Sequence, residues 1–179
     1  MTSVDTYLLP PTPHAPNSLL PVLHYRNVLP QPLNEETVTK FLTTHQWEKR
    51  GTWGHIPIRH FHPNSHECYG IFQGSSRLLL GVGGSDQTGG VEISVQAGDV
   101  IVLPAGTAHS CARSSHNYRY IGVYPKDCPR WRNEMGSKPI NLNALREESG
   151  KVASPEEDPV YGAGGPLIQL WKRTEKPRL

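Results

Sequence analysis

The sequence predicts an all-β jelly-roll barrel carrying one or two peripheral helices. Two observations lead there. Short apolar runs alternate with turn residues through the middle of the chain, which is the pattern of many short strands. The 17 glycines and 17 prolines are spread along the chain and lean its composition away from helix. No internal repeat is visible, so the strands are expected to close one barrel.

The elements follow in order. Residues 1–18 are proline-rich without periodicity and read as an extended N-terminal arm. PVLHYRNV (21–28) reads as a first strand. NEETVTKFLTTHQW (34–47) reads as the main helix. Asn34 can cap it, Glu35 and Glu36 suit its positive end, and Val38, Phe41 and Leu42 share a face. Strands are then expected at 52–62, 67–73, 77–82, 91–95, 99–103, 108–112 and 118–124, with GVGGSDQTGG (81–90) as a hairpin loop. After Asp127 the pattern weakens. NLNALREES (141–149) reads as a short helix, SPEEDP (154–159) as a loop and GPLIQLW (165–171) as a final strand.

The bulk properties exclude some classes of function. A formal charge of +2 over 179 residues, with no basic block interleaved with aromatics, argues against nucleic acid. No apolar run is long enough to span a membrane. The first residues lack the basic and apolar regions of a secretory signal. Cys68, Cys111 and Cys128 are odd in number and have no paired spacing, which fits a reducing compartment. The expectation is a cytoplasmic protein.

Residues 59–74, RHFHPNSHECYGIFQG, hold three of the nine histidines and a glutamate within eight positions. Histidines cluster by chance, so spacing has to decide. On a strand, residues two apart share a face, so His60 and His62 project together with Phe61 opposite. Pro63-Asn64-Ser65 reads as a turn. The chain can then return antiparallel and bring Glu67 beside the pair. Two imidazoles and a carboxylate make a facial metal site. GDVIVLPAGTAH (98–109) supplies a buried strand, a turn and His109, a fourth donor. His66 neighbours Glu67 and points to the other face, where it would support the site or lie at the surface. Gln73 follows Glu67 on its face. Tyr118, Tyr120 and Tyr124 share a face of the late strand. Gln73, Tyr118 and Tyr120 are therefore candidates to contact a substrate. Cys111 reads as a buried inert thiol, and the four tryptophans as packing anchors.

Gly54, five residues, His60, one, His62, four, Glu67, six, Gly74 fits the first cupin motif. Gly98, five, Pro104, one, Gly106, two, His109 fits the second, except that Arg113 stands where an Asn often follows. These segments, with YIGVYP (120–125) and DPVYGAGGPLIQLW (158–171), resemble the small single-domain cupins of the YjlB type. The likeness spans residues 19–172 and leaves 173–179 as a charged tail. It implies a double-stranded β-helix with one divalent transition metal (Fe, Mn, Ni, Co or Zn) on His60, His62, Glu67 and His109. Cupins are often homodimers, and the resemblance raises pairing of the arm across a two-fold. The fold hosts dioxygenases, decarboxylases, isomerases, storage proteins and sensors. The leading expectation is a metal-dependent enzyme acting on a small organic molecule. The alternative is a metal-stabilised barrel that binds or senses a small ligand without turnover.

Overall fold

The computed structural model describes residues 4–174; the first three residues of the arm and the last five of the charged tail, 175–179, lie outside the described residues. Among the described residues, nine strands form two antiparallel sheets. The strands are β1 (Val4–Tyr7), β2 (Val22–Tyr25), β3 (Trp47–Trp53), β4 (Glu67–Gln73), β5 (Ser75–Leu80), β6 (Val91–Gln96), β7 (Val100–Leu103), β8 (His109–Ser114) and β9 (Arg119–Pro125). One sheet has the order β1-β2-β7-β4-β9-β3 and the other β6-β5-β8. The helices are α1 (Glu35–Leu42), α2 (Leu142–Gly150) and α3 (Pro166–Thr174). This is the all-β jelly roll that the sequence predicts.

Period-two alternation separates two apolar clusters. Tyr69 and Ile71 of β4, Ile101 and Leu103 of β7 and Tyr120 of β9 face Leu78, Leu80, Ile93 and Val95 of the smaller sheet. Cys68, Val100, Val102, Ile121 and Val123 face outward and are covered by Val38 and Leu42 of α1 and by Leu167 and Trp171 of α3. The large sheet is thus buried on both faces, and its inner face is the barrel lumen.

Three elements depart from the sequence reading. The main helix ends at Leu42 rather than at residue 47. Thr43 and Thr44 bond back to the carbonyls of Thr39 and Lys40, and Gln46 at φ 58° turns the chain so that buried Trp47 opens β3. The strand expected over 52–62 stops at Trp53; His60 and Phe61 instead form isolated bridges to His109 and Glu134. The final strand expected over 165–171 is a helix. Pro166 suits its first turn, and Leu167 and Trp171, four apart, share the face turned to the barrel.

Asp158 holds that helix in place. Its fully buried carboxylate accepts from the Tyr25 hydroxyl at 2.6 Å and from the amides of Val160, Tyr161 and Leu167. The Leu167 bond satisfies a free amide at the start of α3 from nine residues upstream. Residues 4–17 are tied down along the barrel. β1 pairs with β2, and buried Asn17 donates to the carbonyls of Pro10 and Gly81 while accepting from the Ala108 amide.

Truncating Asp158 leaves several buried donors without a partner, each worth about 1–3 kcal/mol. Asp158→Ala is therefore expected to lower unfolding free energy by about 3 kcal/mol or more in urea titrations at constant m. A loss below about 1 kcal/mol would show that α3 is held by apolar packing alone.

Candidate metal centre

The two motif segments meet through backbone bonds. The His60 amide donates to the His109 carbonyl at 3.2 Å, and the His109 amide returns to the His60 carbonyl at 2.9 Å. The Gly106 amide donates to the His62 carbonyl at 2.8 Å. Gly106 sits at φ 86°, which the turn before His109 requires and which glycine adopts without strain. Phe61, between the two histidines, packs on the other side against Ala15 and Ala108.

His60, His62 and His109 turn into the lumen, and a ring nitrogen of each lies within 4.8 Å of the others. Each Nδ1 faces a backbone carbonyl: Ile58 at 2.8 Å for His60, Arg132 at 3.1 Å for His62 and Thr107 at 3.0 Å for His109. A carbonyl only accepts, so each Nδ1 carries a proton, and each ring when neutral presents its lone pair at Nε2. Glu67 is buried among them. Its Oε2 lies 3.3 Å from Nε2 of both His62 and His109, and its Oε1 accepts from the Tyr124 hydroxyl at 2.6 Å. The Nε2 of His109 and the Oε2 of Glu67 are buried without a hydrogen-bond partner. Unpaired buried acceptors that face one another fit a cation between them. Three neutral imidazoles and one carboxylate are a donor set for a divalent transition metal.

Charge follows the same geometry. Burial, with the neighbouring His109 and His62, pushes His60 down to about 4 and keeps it neutral. Burial also opposes a charge on His62, but Glu67 beside it carries its pKa above the ordinary value. Burial alone would raise the Glu67 carboxyl; the imidazoles of His62 and His109 hold it well below the usual carboxylate range.

His60, His62 and Glu67 form the floor of a cavity of about 220 Å3, and His109 lies behind Glu67, 3.3 Å from it and outside the lining. Trp53, Tyr69, Tyr120 and Tyr124 form walls from the barrel, and Trp131, Asn133 and Met135 close over it from the segment after β9. The Trp53 ring reaches the lumen because Gly51 and Gly122 leave room; a Cβ at either position would come within 2.3 Å of it. Trp131 stacks on Tyr124 at 4.9 Å and meets Trp53 edge-on at 6.0 Å. The segment is clamped from outside. The Arg132 amide donates to Asn64, and its guanidinium makes a two-pronged contact with Glu148 on α2 at 2.8 and 3.0 Å.

The other residues singled out by the sequence fall as follows. Tyr120 lines the cavity. Tyr118 is buried in the lumen core, away from the cavity lining, with its hydroxyl unpaired. Gln73 is not brought to the cavity: the register shifts between Ile71 and Gln73, and the side chain ends exposed beside Arg119. His66 lies apart from the three imidazoles. Its Nδ1 accepts from the Ala105 amide at 2.9 Å and its ring faces Trp171 at 4.8 Å. Arg113 is exposed on β8 opposite Arg77 and does not reach the site. Sequence reasoning missed the roles of Tyr124, Trp53, Trp131 and Met135. The alternation of β9 placed Tyr124 on the right face, but nothing local marks its bond to Glu67.

Residues 57–123 match the Cupin family model. Over 168 residues, 93% of this chain and 96% of the relative, the sequence is 29% identical to the uncharacterized protein YjlB of Bacillus subtilis (strain 168). Among solved structures, a mutant form of Bacillus subtilis oxalate decarboxylase OxdC superposes with a TM-score of 0.37 at 17% identity, over 64% of this chain and 27% of that one. Procruciferin, an 11S globulin from Brassica napus, superposes with a TM-score of 0.40 at 13% identity, over 79% of this chain and 36% of that one. The chain spans about a third or less of these two structures.

Burial lowers the pKa of His66 to about 4, against about 6.5 in an unfolded chain. Between those values the unfolded state binds the extra proton, so stability falls as pH drops through this window. The loss for one such group is on the order of 3 kcal/mol at its limit. His66→Gln keeps an acceptor for the Ala105 amide and removes the titration. Urea unfolding of metal-free protein from about pH 7 to about pH 4.5 is expected to give a shallower pH slope for the variant than for wild type. Equal slopes would mean that His66 titrates normally in the fold.

Proposed function

From a YjlB-like cupin that gathers three imidazoles and a carboxylate at a cavity, we propose a protein that binds one divalent transition metal and acts on a small organic substrate. The reaction is of dioxygenase, decarboxylase or isomerase type. One observation carries this reading. The unpaired Nε2 of His109 and Oε2 of Glu67 belong to a donor cluster that borders an open cavity of about 220 Å3 rather than a sealed core. A purely structural site has no use for such access. His60, His62, Glu67 and His109 hold the metal. When bound, it supplies Lewis acidity and a template for a chelating substrate.

The chain's own groups do the rest. The carbonyls of Ile58, Arg132 and Thr107 keep an imidazole proton on each Nδ1, so no ring has to turn to ligate. Tyr124 fixes one oxygen of Glu67 and leaves the other for the metal. Trp53, Tyr120 and Trp131 exclude bulk water from the walls and position an apolar substrate body.

Protein purified without a polyhistidine tag is expected to carry one divalent metal per chain by elemental analysis. Native-state binding at about 1,000 times the dissociation constant adds roughly 4 kcal/mol, so EDTA should lower Tm. Glu67→Ala and His109→Ala should lack the metal and ignore the chelator. Wild type without stoichiometric metal would overturn the reading. Loaded with Mn(II), the protein should enhance water-proton relaxation through an exchangeable water. A site saturated by protein ligands and free of water would instead favour a sensor or binding barrel without turnover.

Tyr124→Phe is expected to weaken metal affinity about 10- to 100-fold, because it removes the group that orients Glu67. Competition with a fluorescent chelator measures this, and an unchanged affinity would show that Glu67 is positioned by packing alone.

A further inference from the structure

The cavity lining is uneven in charge. Among the described residues, no lysine, arginine or aspartate lines it, and Glu67 is its one carboxylate. The walls are mostly aromatic and aliphatic, and their polar groups, the Asn133 amide and the hydroxyls of Tyr69, Tyr120 and Tyr124, are neutral. Arg50 stacks over the Tyr124 ring at 5.4 Å, but it stays outside the lining and is paired with Glu48.

Resting on the metal reading above, a divalent ion with the Glu67 carboxylate leaves one net positive charge at the cavity floor. A chelating monoanion cancels it. A dianion overshoots and leaves a negative charge that only neutral groups of the lining can meet, with no cation among them, which is costly. Size restricts the body as well. A cavity of about 150 Å3 takes a benzene ring. The space here, about 220 Å3, takes one ring with a few substituent atoms.

We infer that the substrates of this site are planar, monoanionic oxygen chelators, such as enolates and ring enolones, with an apolar body of about one ring, and that small dicarboxylates are disfavoured. Two adjacent oxygens point to the floor, and the ring lies against the joined Trp53 and Trp131 wall. Trp131 and Met135, carried by the segment after β9, are then the residues that set specificity.

Tropolone and oxalate test this, each titrated into the Co(II)-loaded protein and each affinity divided by that for aqueous Co(II). Normalised in this way, tropolone is expected to bind at least about tenfold better than oxalate. It should also quench tryptophan emission, since Trp53 and Trp131 border the cavity. Trp131→Ala should weaken tropolone about five- to tenfold and leave oxalate unchanged. Met135→Arg places a cation at an exposed rim position and should move the normalised ratio at least about tenfold toward oxalate. Both variants should keep the metal content of wild type, because neither residue is a donor. If wild type binds metal but prefers oxalate after normalisation, or if Met135→Arg leaves the ratio unmoved, the substrate class is wrong while the metal reading stands. If wild type takes up no Co(II), both fall together.

Discussion

Three backbone carbonyls decide what this barrel can do. Those of Ile58, Thr107 and Arg132 face the Nδ1 atoms of His60, His109 and His62 and so choose the tautomer of each ring. An imidazole free to rotate offers either nitrogen and loses entropy on settling. Here the choice is made by the fold, and the lone pairs converge before anything binds. Two of the carbonyls lie two residues before the ring they face, whereas that of Arg132 reaches His62 from seventy residues away, so the third choice is made only when the fold is complete. The paired bonds between His60 and His109 supply the scaffold, since they join the chain ahead of the larger sheet's β4 to the first residue of β8 in the smaller one. Unpaired buried acceptors at Glu67 and His109 are the consequence of that convergence.

Much of this was legible in the sequence. Period-two alternation put His60 and His62 together with Phe61 opposite, and the isolated bridges keep that alternation even though no regular strand runs through them. The turn at Pro104 to Gly106 announced His109. Legibility ended where distant residues decide. The apolar and small residues at 165–171 suit a strand or a helix equally by local pattern. The choice falls to Asp158, which caps Leu167, and to the surface that Trp171 covers. Gln73 continued the face of Glu67 on paper, but an irregularity at Phe72 turned it outward, and bulges leave little local signal. The segment holding Trp131 and Met135 has no periodicity at all. Its position is set by Asn64, Glu148 and the Phe61–Glu134 bridge, whose partners lie far from it in the chain.

The cavity itself depends on absent side chains. Gly51 and Gly122 sit on adjacent strands β3 and β9 and together form the slot for the Trp53 ring. Glycine within strands weakens them, and here the loss is exchanged for an indole wall that side chains at these two positions would block. Leu78, Leu80, Ile93 and Val95 fill the lumen between the sheets, and the imidazoles of His60 and His62 line the cavity that remains beyond them.

Arg132 joins two tasks that are usually separate. Its neighbour Trp131 covers the cavity, and its own carbonyl holds the proton of His62. A movement that lifts the cover therefore also frees the His62 ring. The cover of the cavity and the orientation of the His62 ring thus depend on one short segment, which Asn64 and Glu148 hold in place from outside.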